Sequence, residues 1–398
     1  MTTLPNRTVV AGLQSPESNV KGPIDPSMKA FLELAFRPLY LAGVGWALVA
    51  IALWIYAPSL LTAPLGGVAW HAHEMLWGFI ATIALAFLMT AGANWTGINP
   101  MSGKLLALAC VLWAVARIGF LLPWETAFWI AMTSELAFFL LGSSAMLRAV
   151  VMSKNSRNYA VPGLLAGLGA MDALYLLTAR GGDYLLLMQR FNAGLVVMAL
   201  IALLIGRRVI PFFAMRAVHE LSLPKQTETG WVQLGACAVG VLGLLLGQPM
   251  PTAFGLGLAG VLAIVHIVSW KPWAVRSNAL LWILYVGYAG VGIGLMLAAW
   301  AQVGLALPVH TIAMAGFSVL IIGMVTRTAL GHTGRPLVTD RTMRTSYWLI
   351  LIAVALRLAA LANTPATAVL LNLAGATWIA SLALYLWQFT PILIRPRQ

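Results

Sequence analysis

Charge is what this 398-residue chain has least of. Only 9% of its residues are Asp, Glu, Lys or Arg, against about 25% in an average soluble domain. A water-facing surface cannot be covered at that density, so a soluble enzyme is excluded. Cysteine is scarcer still: Cys110 and Cys237 are the two present, and both fall inside long apolar runs, so no disulfide framework is implied. Residues 1–30 lack an apolar h-region, so no signal peptide is read there. They form a polar tail, expected to be cytoplasmic and disordered.

What the chain has is hydrophobic length. Apolar residues make up 61% of it, and a run of about 20 crosses the bilayer core. Twelve such runs are predicted, at 36–57, 70–92, 104–122, 125–148, 160–179, 183–206, 230–247, 251–270, 279–301, 308–330, 345–362 and 366–390. Pro123-Trp124, Gly181-Gly182 and Gln248-Pro249 make three of the breaks short enough for helical hairpins. The fold class is therefore an all-α integral membrane protein, with residues 31–394 as its membrane domain.

The basic residues fix the expected orientation. With twelve spans and a cytoplasmic N-terminus, 20 of the 24 Lys and Arg lie in cytoplasmic loops and tails, and Arg180 alone lies opposite. Arg117, Arg190 and Arg357 fall within spans. This asymmetry places both termini in the cytoplasm. It also accounts for the net charge of +13 without nucleic acid as a partner.

The chain carries a weak internal repeat at an offset near 240 residues. Trp70-His71 with Met75 corresponds to Val309-His310 with Met314, Gly78-Phe79 to Gly316-Phe317, and Thr96-Gly97 to Thr333-Gly334. Lys104 precedes Arg117 by thirteen residues, as Arg344 precedes Arg357. Spans 1–4 thus read as a distant copy of spans 9–12, giving repeats at 36–150 and 279–390, with 158–275 as a candidate third unit that has no matching histidine.

Ionisable groups inside a membrane are costly and are functional candidates by default. At about 1.5 Å per residue, His71, His73, Glu74, Arg117, Asp172, Arg190, His310 and Arg357 gather in the outer half, with Glu135 near mid-depth. Imidazole ligates haem iron and copper, and arginine pairs with haem propionates. No Cys-x-x-Cys-His occurs, so a haem would be held non-covalently. His71 and His73, two apart on a helix, point about 200° from one another, so they are expected to reach different partners, one of them facing His310. An alternative role for the buried charges is mutual neutralisation, as in an Arg190–Asp172 pair. His219 reads as a solvated loop residue and His266 as an interhelical hydrogen bonder.

Several strings resemble the NnrS family. They are Phe36-Arg37-Pro38-Leu39, Trp70-His71-Ala72-His73-Glu74-Met75-Leu76-Trp77-Gly78-Phe79, Asn94-Trp95-Thr96-Gly97, Gly206-Arg207-Arg208-Val209-Ile210-Pro211-Phe212-Phe213 and Thr326-Arg327-Thr328-Ala329-Leu330-Gly331-His332-Thr333-Gly334-Arg335. The resemblance implies a bacterial inner-membrane protein that binds haem and copper and protects against nitrosative stress. Its candidate haem or metal ligands are His71, His73, His310 and His332. Tyr285 stands where family members often carry a ninth-span histidine. His332 lies 22 residues from His310, about 33 Å along a helix, so one haem cannot be ligated by both.

The reading that follows is a haem b protein, with one or two haems, that reduces nitric oxide to nitrous oxide or binds and sequesters it. His71, His73 and His310 would ligate an outer group, Arg117, Arg190 and Arg357 would hold propionates, and Glu74 would orient a ligand or deliver protons. His332, with His266, would serve an inner site. Reduction would need electrons from a quinol or a redox protein. The alternatives are a secondary transporter of an anion or metal and a non-catalytic haem or nitric oxide sensor.

Overall fold

A computed structural model describes residues 25–300 and 306–398. Among them every regular element is helical. Twelve long helices follow in order: α1 (Phe36–Tyr56), α2 (Gly67–Thr96), α3 (Gly103–Gly119), α4 (Glu125–Met152), α5 (Ala160–Ala179), α6 (Tyr184–Ala217), α7 (Glu228–Leu245), α8 (Pro249–Ser269), α9 (Ala279–Trp300), α10 (Ala306–His332), α11 (Arg341–Ala359) and α12 (Thr367–Leu393). Eleven are long and apolar enough to cross a membrane. The other, α3, has 17 residues, about 25 Å of helix, at the short end of what a bilayer core requires.

The helices match the predicted apolar runs closely, with one large departure. The sixth run ends at 206 by sequence, yet α6 continues to Ala217 and carries Pro211 in its interior. Arg207 and Arg208, expected in a loop, are helical residues. Their long stems carry the charged heads away from the apolar surface: Arg207 donates to the Gln226 carbonyl at 3.0 Å, and Arg208 to Asn158 at 2.9 Å. The charges end the apolar run without ending the helix.

Of the polar tail, residues 1–24 lie outside the described residues. Ser27 caps a short helix, Met28–Phe31, and its backbone N–H donates to the Ile394 carbonyl at 2.9 Å. Arg37 donates to the Leu393 carbonyl at 2.9 Å. The two ends of the membrane domain therefore meet at one end of the bundle, and α1 packs on α12.

Three helices stand at the centre. α2, α6 and α10 each touch the other two, and 83% of the apolar stretch of α2 is buried, against 33% in α1, α11 and α12. A helix apolar all round belongs in such an interior position. The central three are spaced four helices apart in chain order. α9 joins them through Gly287, Gly290 and Gly294, where any Cβ would meet Leu320, Ala315 and Ile312 of α10. Small residues at that spacing let two membrane helices approach closely.

α2 and α10 share a local irregularity. Each begins as a short α-helix, Gly67–His73 or Ala306–His310, then widens into an eight-residue π-helix, Glu74–Ala81 or Thr311–Ser318. In each a hydroxyl follows the widened register, donating to the carbonyl five residues earlier: Thr82 to Trp77 at 3.0 Å and Ser318 to Ala313 at 2.9 Å. Such π segments are frequent at functional sites. Here each follows directly on a histidine, His73 or His310.

Candidate functional site

The two π segments flank a cavity of about 320 Å³ at the end of the bundle opposite the termini. Its lining includes His71 from α2, His310 from α10 and Arg357 from α11, amid an apolar wall. The volume falls in the range of small-molecule sites, and an apolar wall with few convergent polar groups is their usual character. His71 stacks on Trp54, with ring centroids 4.8 Å apart and planes within 9°. Its Nδ1 is buried without a hydrogen-bond partner. His310 Nδ1 lies 2.8 Å from the Ala306 carbonyl, to which it can only donate, so Nε2 carries the free lone pair. These two imidazoles have the state and location that a metal ligand needs.

His73 turns the other way. Its Nδ1 lies 2.9 Å from Glu74 Oε1, and its Nε2 lies 3.0 Å from Asp172 Oδ1 and 3.2 Å from Glu135 Oε2. Arg117 joins the group through Glu74 Oε2 at 2.5 Å and through Glu135. Trp46 Nε1–H also donates to Glu74 Oε2, at 2.5 Å. His73, Glu74, Arg117, Glu135 and Asp172 are all almost wholly buried, none more than 2% exposed. Phe120 and Tyr175 wall the imidazole, at 4.7 and 6.0 Å between centroids. Gly78 leaves room for the cluster: a Cβ there would run into Arg117 and come within 2.7 Å of Glu74 Oε2.

The candidate residues thus fall into separate places. His71, His310 and Arg357 share the cavity, whereas His73, Glu74 and Arg117 belong to the buried cluster. Arg117, read as a propionate partner, is held instead by two carboxylates. Arg190 is half-buried and does not line the cavity. The Arg190–Asp172 pair is not formed, because Asp172 turns to His73.

His332 and His266 lie toward the termini, against different neighbours. His332 packs on Phe36 at 5.5 Å between ring centroids. His266 is buried, bonded through Nε2 to Thr229 at 3.0 Å, and stacked on Trp270. His219 is 92% exposed by side chain, as a solvated loop residue should be.

Sequence reasoning placed Glu135 near mid-depth without a role, passed over Trp46 and gave Asp172 a different partner. A signal was available. Of 11 acidic residues, only Glu74, Glu135 and Asp172 lie well inside the long helices, and each needs a cationic or donor partner at matching depth.

Together these features define a many-span, all-helical membrane protein with a histidine-lined cavity beside a buried ionic cluster. Its sequence matches the family model described as NnrS protein over residues 30–397, and the chain belongs to the NnrS family. Membership makes it a membrane protein of the nitric oxide response. No curated protein gives a significant match.

Proposed function

We propose that this protein binds haem b in the cavity between α2, α10 and α11 and handles nitric oxide there, protecting a bacterial cell from nitrosative stress. One observation carries this reading: His71, His310 and Arg357, far apart in sequence, line one cavity of about 320 Å³. His71, with its unpartnered buried Nδ1, and His310, with its free Nε2 lone pair, are the ligands. Arg357 is the partner for a propionate. Bound haem would supply an iron centre that takes nitric oxide and exchanges an electron.

The chain's own residues orient and shield. Trp54 fixes the plane of the His71 ring by stacking, and the Ala306 carbonyl fixes the tautomer of His310. The apolar wall excludes water. Reduction of two nitric oxide molecules to one nitrous oxide and one water consumes two electrons and two protons, and a quinol or redox protein supplies the electrons. The positive-inside bias of the loops supports an inner-membrane location with both termini cytoplasmic.

Copper fits less well. Among the described residues, the one group of three side chains able to hold an ion is an imidazole with two carboxylates, a donor set for harder ions than Cu(I).

The test is consumption of nitric oxide by the reduced, detergent-purified protein. Nitrous oxide at half the molar amount of nitric oxide consumed supports reduction, and stoichiometric uptake without nitrous oxide supports sequestration. No uptake of either kind overturns the reading.

A further inference from the structure

We infer that His73, Glu135 and Asp172 form a binding site for one divalent first-row metal ion, separate from the histidine-lined cavity. Three independent observations carry it.

The first is geometry. One atom from each residue, with His73 contributing Nε2, lies within 4.8 Å of the others. The imidazole nitrogen is 3.0 Å from Asp172 and 3.2 Å from Glu135. Metal–ligand bonds of about 2.1 Å bring neighbouring ligand atoms to roughly 3.0–3.4 Å of one another. The two separations from the imidazole nitrogen already match.

The second is charge. Glu74, Glu135 and Asp172 are three carboxylates against a single guanidinium, Arg117, in a place almost without solvent exposure. With His73 neutral and the carboxylates ionised, two negative charges are left over, and an unbalanced charge in such a place is severely penalised. One divalent cation on a neutral His73 makes the cluster neutral.

The third is the arrangement around the ligands. Asp172 Oδ2 is fully buried with no hydrogen-bond partner. His73 Nδ1 faces Glu74 Oε1 at 2.9 Å, so that an Nδ1–H donated to Glu74 leaves Nε2 free to ligate. Glu74 is in turn held by Arg117 and Trp46. Metal-binding histidines typically carry a carboxylate in this position, which fixes the tautomer and raises basicity. One nitrogen and two carboxylate oxygens select manganese(II), iron(II) or zinc(II) over softer ions. Three protein ligands leave coordination positions open.

The experiment is a manganese(II) titration of full-length, detergent-purified protein after chelation, read by the electron paramagnetic resonance signal of free aqueous manganese(II). Wild-type protein should remove about one equivalent from solution. Asp172→Asn and Glu135→Gln should each weaken binding at least tenfold, and His310→Ala should bind as wild type does. No uptake by wild type contradicts the site, a measurement that needs no variant to fold. Wild-type uptake by either carboxylate variant, or loss of uptake in His310→Ala, contradicts it equally. Because the ion is read without haem, its binding and the proposed haem site can fail separately.

Discussion

His71 and His73 stand two residues apart on α2 and serve opposite sides of it. The first stacks on Trp54 at the wall of the cavity that His310 also lines. The second reaches Asp172 at 3.0 Å in a buried ionic cluster. One short motif therefore supplies two places, and substitutions in it should separate their properties.

Removing a cavity imidazole should affect haem and leave the fold. His310→Ala is expected to purify with less haem or with a shifted Soret band, whereas His219→Ala, altered at an exposed loop residue, should match wild type. Haem-to-protein ratios from pyridine haemochrome spectra make the comparison. Equal ratios and spectra in the two variants would remove His310 from the site.

Removing the cluster's guanidinium should act on stability. Arg117→Met leaves three buried carboxylates with no guanidinium, and breaking a buried ion pair from one side costs about 3–5 kcal/mol. Arg357→Met, at a half-buried position on the cavity, should destabilise far less and act on haem retention. Thermal unfolding followed by circular dichroism separates the two, and a smaller loss of melting temperature for Arg117→Met than for Arg357→Met would refute the assignment.

Gly78→Ala tests the space inside the π segment. Its new methyl group must displace the Arg117–Glu74 pair, an overpacking expected to cost about 1–3 kcal/mol. Gly45, where a Cβ would meet nothing within 4 Å, is the control on α1. Similar melting temperatures for the Gly78→Ala and Gly45→Ala proteins would show that the cluster has room to spare.

Topology is open to a direct check. On a background with Cys110 and Cys237 replaced by alanine, Ser156→Cys in the α4–α5 connection should react with a membrane-impermeant maleimide only after cells are opened. Gly182→Cys, in the α5–α6 connection, should react in intact cells once the outer membrane is permeabilised. The reverse pattern would invert the orientation.

The spans were legible because hydropathy depends on composition alone, and twelve helices occupy the twelve apolar runs. The run ending before Arg207 misjudged α6 for the same reason: hydropathy registers charge, while the helix continues through Pro211 to Ala217. The divergence of His71 and His73 was legible from helical geometry. The convergence of Glu135 and Asp172 on His73 was not, since it depends on which faces of α4 and α5 turn toward α2. The π segments were likewise unreadable, although the hydroxyls of Thr82 and Ser318 that accompany them sit at nearly corresponding positions of the repeat.

The measurement that bears most directly on the central claim is the visible spectrum of the full-length protein purified in mild detergent, paired with iron analysis. The account predicts a Soret band that sharpens and shifts on reduction and changes again on adding nitric oxide, with at least one haem iron per chain. A protein without a Soret band and without stoichiometric haem iron, purified from cells able to make haem, would contradict it.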